Sequence, residues 1–327
     1  GRYIKGVRNG ESPKWLKDKL IAIGLRPISV LVDITNLFTI SYGRPLHVFD
    51  ADKVEGDIQV RFSHNGETLR ALDGKDYELD DAMTVIADAK TVESLGGVMG
   101  GEGSGCTEKT VNVFMESAYF DPVRTAATGR KLNLQSDARF RFERGIDPDF
   151  VMPGAELATK LILDLCGGEP SELAVAGQKP DVARVYSLRE TRVNQLGGVD
   201  VSAEETERIL DVLGFKLTRT PVGWDCAVPS WRHDVVGEAD LVEEVLRIHG
   251  FDKIPSVPMN LETALPTGSV SLTQERRAQA RRLLASRGMT EAVTFSFLSG
   301  RDASLFGGVP DTIRLINPIS SDLDVMR

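Results

Sequence analysis

The period of the apolar positions changes along the chain, and the expected elements follow from it. Ser29-Val30-Leu31-Val32-Asp33-Ile34 is a short β-branched apolar run and reads as a buried strand. Residues 57–62 alternate polar and apolar, the mark of a half-buried strand, and 84–87 and 111–116 read as strands too. Asp121 followed by Pro122 is an N-cap with proline at the first helical position, opening a helix to about Leu132. A second helix covers about 155–166 and stops at Gly167-Gly168.

A polar linker, residues 177–181, separates this strand-rich part from a smaller unit. There Ser202-Ala203-Glu204-Glu205 forms a capping box and opens a helix to Leu213, closed by Gly214. Residues 215–217 and 224–228 read as a hairpin, and 239–249 as a helix stopped by Gly250. Helix, hairpin, helix is the order of a winged-helix domain. The second helix, however, carries Asp240, Glu243 and Glu244, which phosphates would repel. Farther on, residues 273–288 predict an amphipathic helix bearing Arg276, Arg277, Arg281, Arg282 and Arg287. It reads either as a solvated surface or as a contact with RNA or a partner.

Composition narrows the class. The chain has 327 residues, about two domains' worth, with 41% apolar and 27% charged residues, as globular proteins have. Lys and Arg total 39 against 48 Asp and Glu, a net charge of −9, which disfavours a free, non-specific nucleic-acid binder. Cys106, Cys166 and Cys226 are sparse and form no CxxC pattern, which fits a reducing cytosol, and the four histidines, His47, His64, His233 and His249, are scattered. No apolar run is long enough to span a membrane. The chain opens on Gly1-Arg2-Tyr3 and stops at Val325-Met326-Arg327, and is expected to be an internal piece of something longer.

Three places carry candidate chemistry. Residues 96–103 are glycine-rich but lack the Lys-Ser/Thr of a P-loop, leaving either a tight turn or a close backbone approach to a ligand. His47 lies among apolar neighbours, and Glu116 ends an apolar strand, where a carboxylate is costly to bury without a partner. Asp234, Asp240, Glu243 and Glu244 offer hard oxygen ligands that suit magnesium, or else an acidic helix start favoured by the dipole.

At these residues the chain resembles the bacterial phenylalanyl-tRNA synthetase beta-subunit family. The matching motifs are Ser12-Pro13-Lys14-Trp15-Leu16, Gly24-Leu25-Arg26-Pro27, Val32-Asp33-Ile34-Thr35-Asn36, Arg44-Pro45-Leu46-His47-Val48-Phe49-Asp50 and Gly96-Gly97-Val98-Met99-Gly100-Gly101. They continue through Arg139-Phe140-Arg141-Phe142-Glu143-Arg144-Gly145, Pro229-Ser230-Trp231-Arg232-His233-Asp234 and Asp240-Leu241-Val242-Glu243-Glu244-Val245. The resemblance covers essentially the whole chain. It implies a multidomain α+β protein: a mixed α/β editing, tRNA-binding module over 1–175, a small winged-helix-like α+β module over 183–258, and the start of an antiparallel class II synthetase-like module over 259–327.

What the resemblance implies about function is specific. It implies the beta subunit of a cytoplasmic phenylalanine-tRNA ligase that charges phenylalanine tRNA at the expense of ATP, as a heterotetramer of two alpha and two beta subunits. The aminoacylation site lies on the alpha subunit, and this chain hydrolyses tyrosine wrongly attached to the tRNA. The editing pocket is placed at Asn36, His47, Gly100, Glu116, Ser136 and Ala138, with Glu116 and backbone near Gly100 reading the phenol, and Asn36, His47 and Ser136 orienting the ester and a water. Ser136 stands where many members have threonine; Arg44 and Leu46 replace the usual glutamine and methionine. Asp234, Asp240, Glu243 and Glu244 correspond to a magnesium site shared with the alpha subunit. The alternatives are a structural, tRNA-holding subunit with a relic pocket, and a winged-helix DNA-binding protein.

Overall fold

Antiparallel pairing brings four distant segments into one sheet, in the order Glu169–Pro170, Arg2–Lys5, Asn112–Glu116, His47–Asp50. The computed structural model describes residues 1–258 and 270–327, so the expected third-module start at 259 lies outside the described residues. Side chains alternate across this sheet with the period of two that strands impose. Ile4, Val48, Val113 and Met115 face one way, into a core with Leu16, Leu20, Leu31, Ile34, Phe38, Ala158 and Ile162 from the helices Lys14–Ala22, Val30–Ser41 and Val151–Cys166. Phe49 and Phe114 face the other way, into a second cluster with Ile86, Phe120, Phe142 and Ile146. His47 and Glu116 share that second face by the same alternation.

The run 29–34 is a correction. It opens the helix Val30–Ser41 and is not a strand. Val30, Leu31, Ile34 and Phe38 are all buried, the i, i+1, i+4, i+8 spacing of a helix face, which a six-residue window is too short to reveal. The helix start is satisfied from outside the run: Gly10 O accepts from Val30 N at 2.9 Å and Asn9 Oδ1 from Leu31 N at 3.3 Å. Buried Asp33 accepts from Ser12 Oγ at 2.6 Å and from Ile28 N at 2.9 Å, which anchors the first turn.

A second antiparallel sheet, Gln59–Phe62, Thr84–Ala87, Val92–Leu95 and Met99–Gly100, forms a meander in chain order apart from the intervening hairpin Thr68–Arg70 with Asp76–Glu78. The expected strands at 57–62, 84–87 and 111–116 are present, the first and last slightly shorter. The expected helices are observed as Pro122–Lys131, with Asp121 accepting from Arg124 N, and as Val151–Cys166, which starts a turn earlier than read.

The smaller unit pairs Val185–Arg189, Gly223–Ala227 and Lys216–Thr220 in that spatial order and packs them against Arg192–Gly197, Ala203–Val212 and Glu238–His249 around fully buried Trp224. The strand at 185–189 was not legible. Ser202 does cap its helix through Glu205 N, but Glu205 pairs with Arg208 and leaves the second half of the box unmade. His233 joins this unit to the first: its Nε2 lies 2.9 Å from Ile146 O, against Gly145 at φ +86°.

Chain contacts divide the described residues into Gly1–Ser256 and Val257–Arg327. The latter unit contains the capped helix Leu272–Ser286, exposed along its length, and a short antiparallel pair, Phe297–Leu298 with Val325–Met326. Among the described residues no helix is long and apolar enough to cross a membrane.

Candidate active site

His47 and Glu116 are direct cross-strand partners in the pairing of His47–Asp50 with Asn112–Glu116. Such partners hold their Cβ atoms about 4.5–5.5 Å apart. Both residues are half-buried. His47 Nε2 is itself buried and has no hydrogen-bond partner. Among the described residues no hydrogen bond reaches the Glu116 carboxylate either. An unused polar atom buried in a fold, as His47 Nε2 is, is costly unless something else meets it.

Their titration follows from burial. Loss of water drives the His47 imidazole down to about 4, so it is neutral at physiological pH. Burial pushes the Glu116 carboxyl up to about 7, opposed by the guanidinium of Arg44. A carboxyl poised near neutrality opposite a neutral imidazole is an arrangement enzymes use.

The glycine-rich stretch turns out to be both a turn and a wall. Gly97 takes φ +70° between the strands Val92–Leu95 and Met99–Gly100, making the hairpin. Gly100 lies under the imidazole: a Cβ there would collide with His47 Cε1 and stand 2.8 Å from Nε2. Phe49 closes another side, with its ring edge-on to His47 at 4.4 Å between centroids.

Ser136 immediately precedes the helix Asp137–Phe142, and Ala138 lies in its first turn. Ser136 caps that helix by accepting from Arg139 N at 3.0 Å and donates to Val98 O at 2.5 Å. Its hydroxyl proton is thus engaged in tying the helix to the glycine turn. Ala138 packs into the aromatic cluster that contains Phe49. Asn36 is half-buried on the helix Val30–Ser41, which packs against the strand of His47. Among the described residues no hydrogen bond joins Asn36 to His47 or Glu116.

Two residues that shape the site were not picked out from sequence. One is Phe49. The other is Arg44, 1% exposed, which donates to Ala118 O at 2.7 Å and to Asp147 O, clamping the segment just past Glu116. Burial lowers this guanidinium to about 10, and it remains charged. A charged residue within the otherwise apolar run 44–49 was the available signal.

The acidic cluster does not converge. Arg232 stands between two of its members, donating to Asp234 at 2.8 and 2.7 Å and to Glu244 at 2.5 Å. Glu244, 6% exposed, also pairs with Arg247 at 2.8 Å, and these hydrogen bonds hold its carboxyl down at about 2. Asp240 accepts from Val236 N at 2.8 Å, and Glu243 points to solvent. Among the described residues no group of three or more His, Cys, Asp or Glu is arranged to hold a metal. Because Glu244 is buried and paired, the four carboxylates do not share one accessible face in this chain by itself. A guanidinium already neutralises the carboxylates a magnesium ion would need, so the residues as placed do not fit one.

Comparison with known proteins gives the family. Residues 1–167, half of the chain, match the B3/4 domain, residues 186–251 the tRNA synthetase B5 domain, and residues 254–327 the phenylalanyl tRNA synthetase beta chain CLM domain. The whole chain is 58% identical to the phenylalanine–tRNA ligase beta subunit of Paramagnetospirillum magneticum, 55% to that of Rhodospirillum rubrum and 53% to that of Brucella abortus. It spans 41%, 41% and 40% of those relatives' lengths respectively. Among solved structures, an N-terminal fragment of the phenylalanyl-tRNA synthetase beta subunit from Pyrococcus horikoshii is 14% identical, covering 76% of this chain and 69% of that one at a TM-score of 0.39, too loose to place any residue. The chain belongs to the B3/4 domain family.

Proposed function

We propose that this B3/4 family member is part of a phenylalanine-tRNA ligase beta subunit and that its His47–Glu116 site hydrolyses tyrosine from mischarged phenylalanine tRNA. The observation that carries this reading is the cross-strand pair itself: two half-buried titratable groups set opposite each other, with no hydrogen bond to either side chain among the described residues. The relatives are named phenylalanine–tRNA ligase beta subunit, which supports a synthetase setting. In our reading an alpha subunit activates phenylalanine with ATP in the cytoplasm and this chain proofreads.

The chemistry follows from one hydroxyl. Tyrosine differs from phenylalanine only there, and a site that hydrogen-bonds that group rejects the analogue lacking it, because its own polar atoms are then left unpaired. Glu116 accepts a hydrogen bond from the phenol O–H, and Phe49 and Ala138 belong to the apolar wall nearby. The His47 imidazole, neutral and unpartnered at Nε2, orients the ester and a water. Water adds to the ester carbonyl, the bond to the ribose oxygen breaks, and that oxygen leaves with a proton. Gly100 fixes the imidazole by leaving no room for it to retreat. Ser136 positions the helix that carries Ala138. Catalysis here is placement of water and ester, with no covalent intermediate.

The direct test is deacylation of tyrosyl-tRNA by the two-subunit enzyme. Phenylalanyl-tRNA should be spared. Equal rates on both, unchanged by substitution at Glu116, would sink the assignment.

A further inference from the structure

The outer face of the helix Asp137–Phe142 carries an aromatic ring that the pocket does not use. Ala138 and Phe142, four residues apart, point inward to the aromatic cluster with Phe49. Phe140 lies on the opposite side and is 54% exposed. The Arg144 guanidinium stacks over its ring at 3.7 Å from the centroid, and Arg141 stands at 5.9 Å. A second exposed ring has a similar partner: Arg124, in the adjoining helix Pro122–Lys131, lies 4.3 Å over Phe62, which is 53% exposed. Residues 121–144 hold six Arg or Lys against three Asp or Glu, in a chain whose net charge is −9. The basic excess is local, and it surrounds exposed aromatic faces.

We propose that Phe140, with Arg144 and Arg141, is a stacking platform for an unpaired nucleotide of a single-stranded RNA end. An exposed phenyl face backed by guanidinium suits a nucleobase, which stacks on aromatic rings and on arginine planes alike. Arg144 and Arg141 pair through Nη1 with Glu143 and Asp137, and their remaining N–H groups suit a phosphate. An acidic peptide would use the charges but not the ring. The platform is tied to the pocket: Ser136 hangs the same helix from Val98 in the glycine turn, and Gly100 at the end of that turn abuts His47. A strand held on the outer face of this helix is one helix diameter, about 10 Å, from the inner face that lines the pocket. This inference rests on the proposed hydrolysis of a tRNA ester, and it assigns where the nucleic-acid part of that substrate is held.

The test is titration of the chain with a four-nucleotide single-stranded RNA carrying 2-aminopurine at its 3′ end, at several salt concentrations. Stacking quenches the fluorophore, and binding weakens as salt rises. Phe140→Ala should weaken binding about 5- to 150-fold, the range for loss of one stacked base. Phe140→Trp should retain both binding and quenching. Arg144→Gln should lower the salt dependence by about 0.7 in logarithmic slope, the value for one phosphate contact on a single strand. Absence of quenching with the unsubstituted chain overturns the proposal. So does Phe140→Ala binding as the unsubstituted chain does, or displacement of the probe by poly-glutamate but not by unlabelled RNA. The probe carries no amino acid, so this result stands or falls apart from the deacylation assay.

Discussion

His47 and Glu116 face each other across two antiparallel strands, and neither side chain uses the other as a hydrogen-bond partner. In water such a pair would form an ion bridge. Here burial drives the imidazole down and the carboxyl up, so near neutral pH the histidine is uncharged and the glutamate is half protonated.

Glu116→Ala should slow tyrosyl-tRNA deacylation about 10- to 150-fold, the loss of one charged hydrogen bond worth about 1.5–3 kcal/mol. Discrimination against amino acids without the hydroxyl should relax at the same time. His47→Ala should lower the rate and leave the side-chain preference intact. Comparing tyrosyl- and phenylalanyl-tRNA in one assay separates the two roles.

The same pair predicts opposing pH effects on stability. Glu116 has a folded value of about 7 against an ordinary 4.5, so its contribution is lost as pH rises from 4.5 to 7. His47 has a folded value of about 4 against 6.5, so its contribution is lost as pH falls from 6.5 to 4. In the unsubstituted chain the two slopes largely cancel between those values. In Glu116→Gln, urea denaturation should show stability climbing from pH 4 to 6.5, by at most about 1.4 kcal/mol per unit. In His47→Gln it should fall from 4.5 to 7. Parallel curves for all three proteins would contradict the burial argument.

Gly100→Ala tests the wall. The added methyl meets the His47 ring, and either the ring or the Met99–Gly100 strand must shift. We expect a stability cost of about 1–3 kcal/mol, as for overpacking, and a fall in deacylation rate larger than that cost alone would cause. Folding can be monitored by circular dichroism beside the assay.

Ser136→Ala should remove the cap of Asp137–Phe142 and cost about 1 kcal/mol. Ser136→Thr should be nearly neutral in stability, because it keeps the hydroxyl. If Ser136→Ala lost deacylation without losing stability, the hydroxyl would have a chemical role beyond its bond to Val98 O.

Glu244→Gln should be the most destabilising of the acidic-cluster substitutions, about 3–5 kcal/mol, because it breaks a buried pairing with Arg232 and Arg247. Glu243→Gln, on an exposed position, should fall within about 0.5 kcal/mol of the unsubstituted chain. Magnesium added to this chain by itself should give no saturable heat in calorimetry. Saturable binding abolished by Asp240→Asn would show that the carboxylates can rearrange around an ion.

Much of this protein was written in local sequence. Asp121-Pro122, Gly167 and Gly250 mark helix ends through their own backbone preferences, and the alternation through 112–116 sets which of its side chains face the helices and which face Glu116's side. The motifs around His47, Gly100 and Glu116 were legible because each is a short, contiguous run. Tertiary structure decided the rest. Val30–Ser41 became a helix because Gly10, Asn9 and Ser12, a separate segment, satisfy its first turn. Arg232 took the place between Asp234 and Glu244 because the fold brings a guanidinium there, which spacing along one helix could not reveal. The register that sets His47 opposite Glu116 is likewise a pairing of distant strands. It decides which groups lose water together, and so gives the two residues the protonation states on which the chemistry depends.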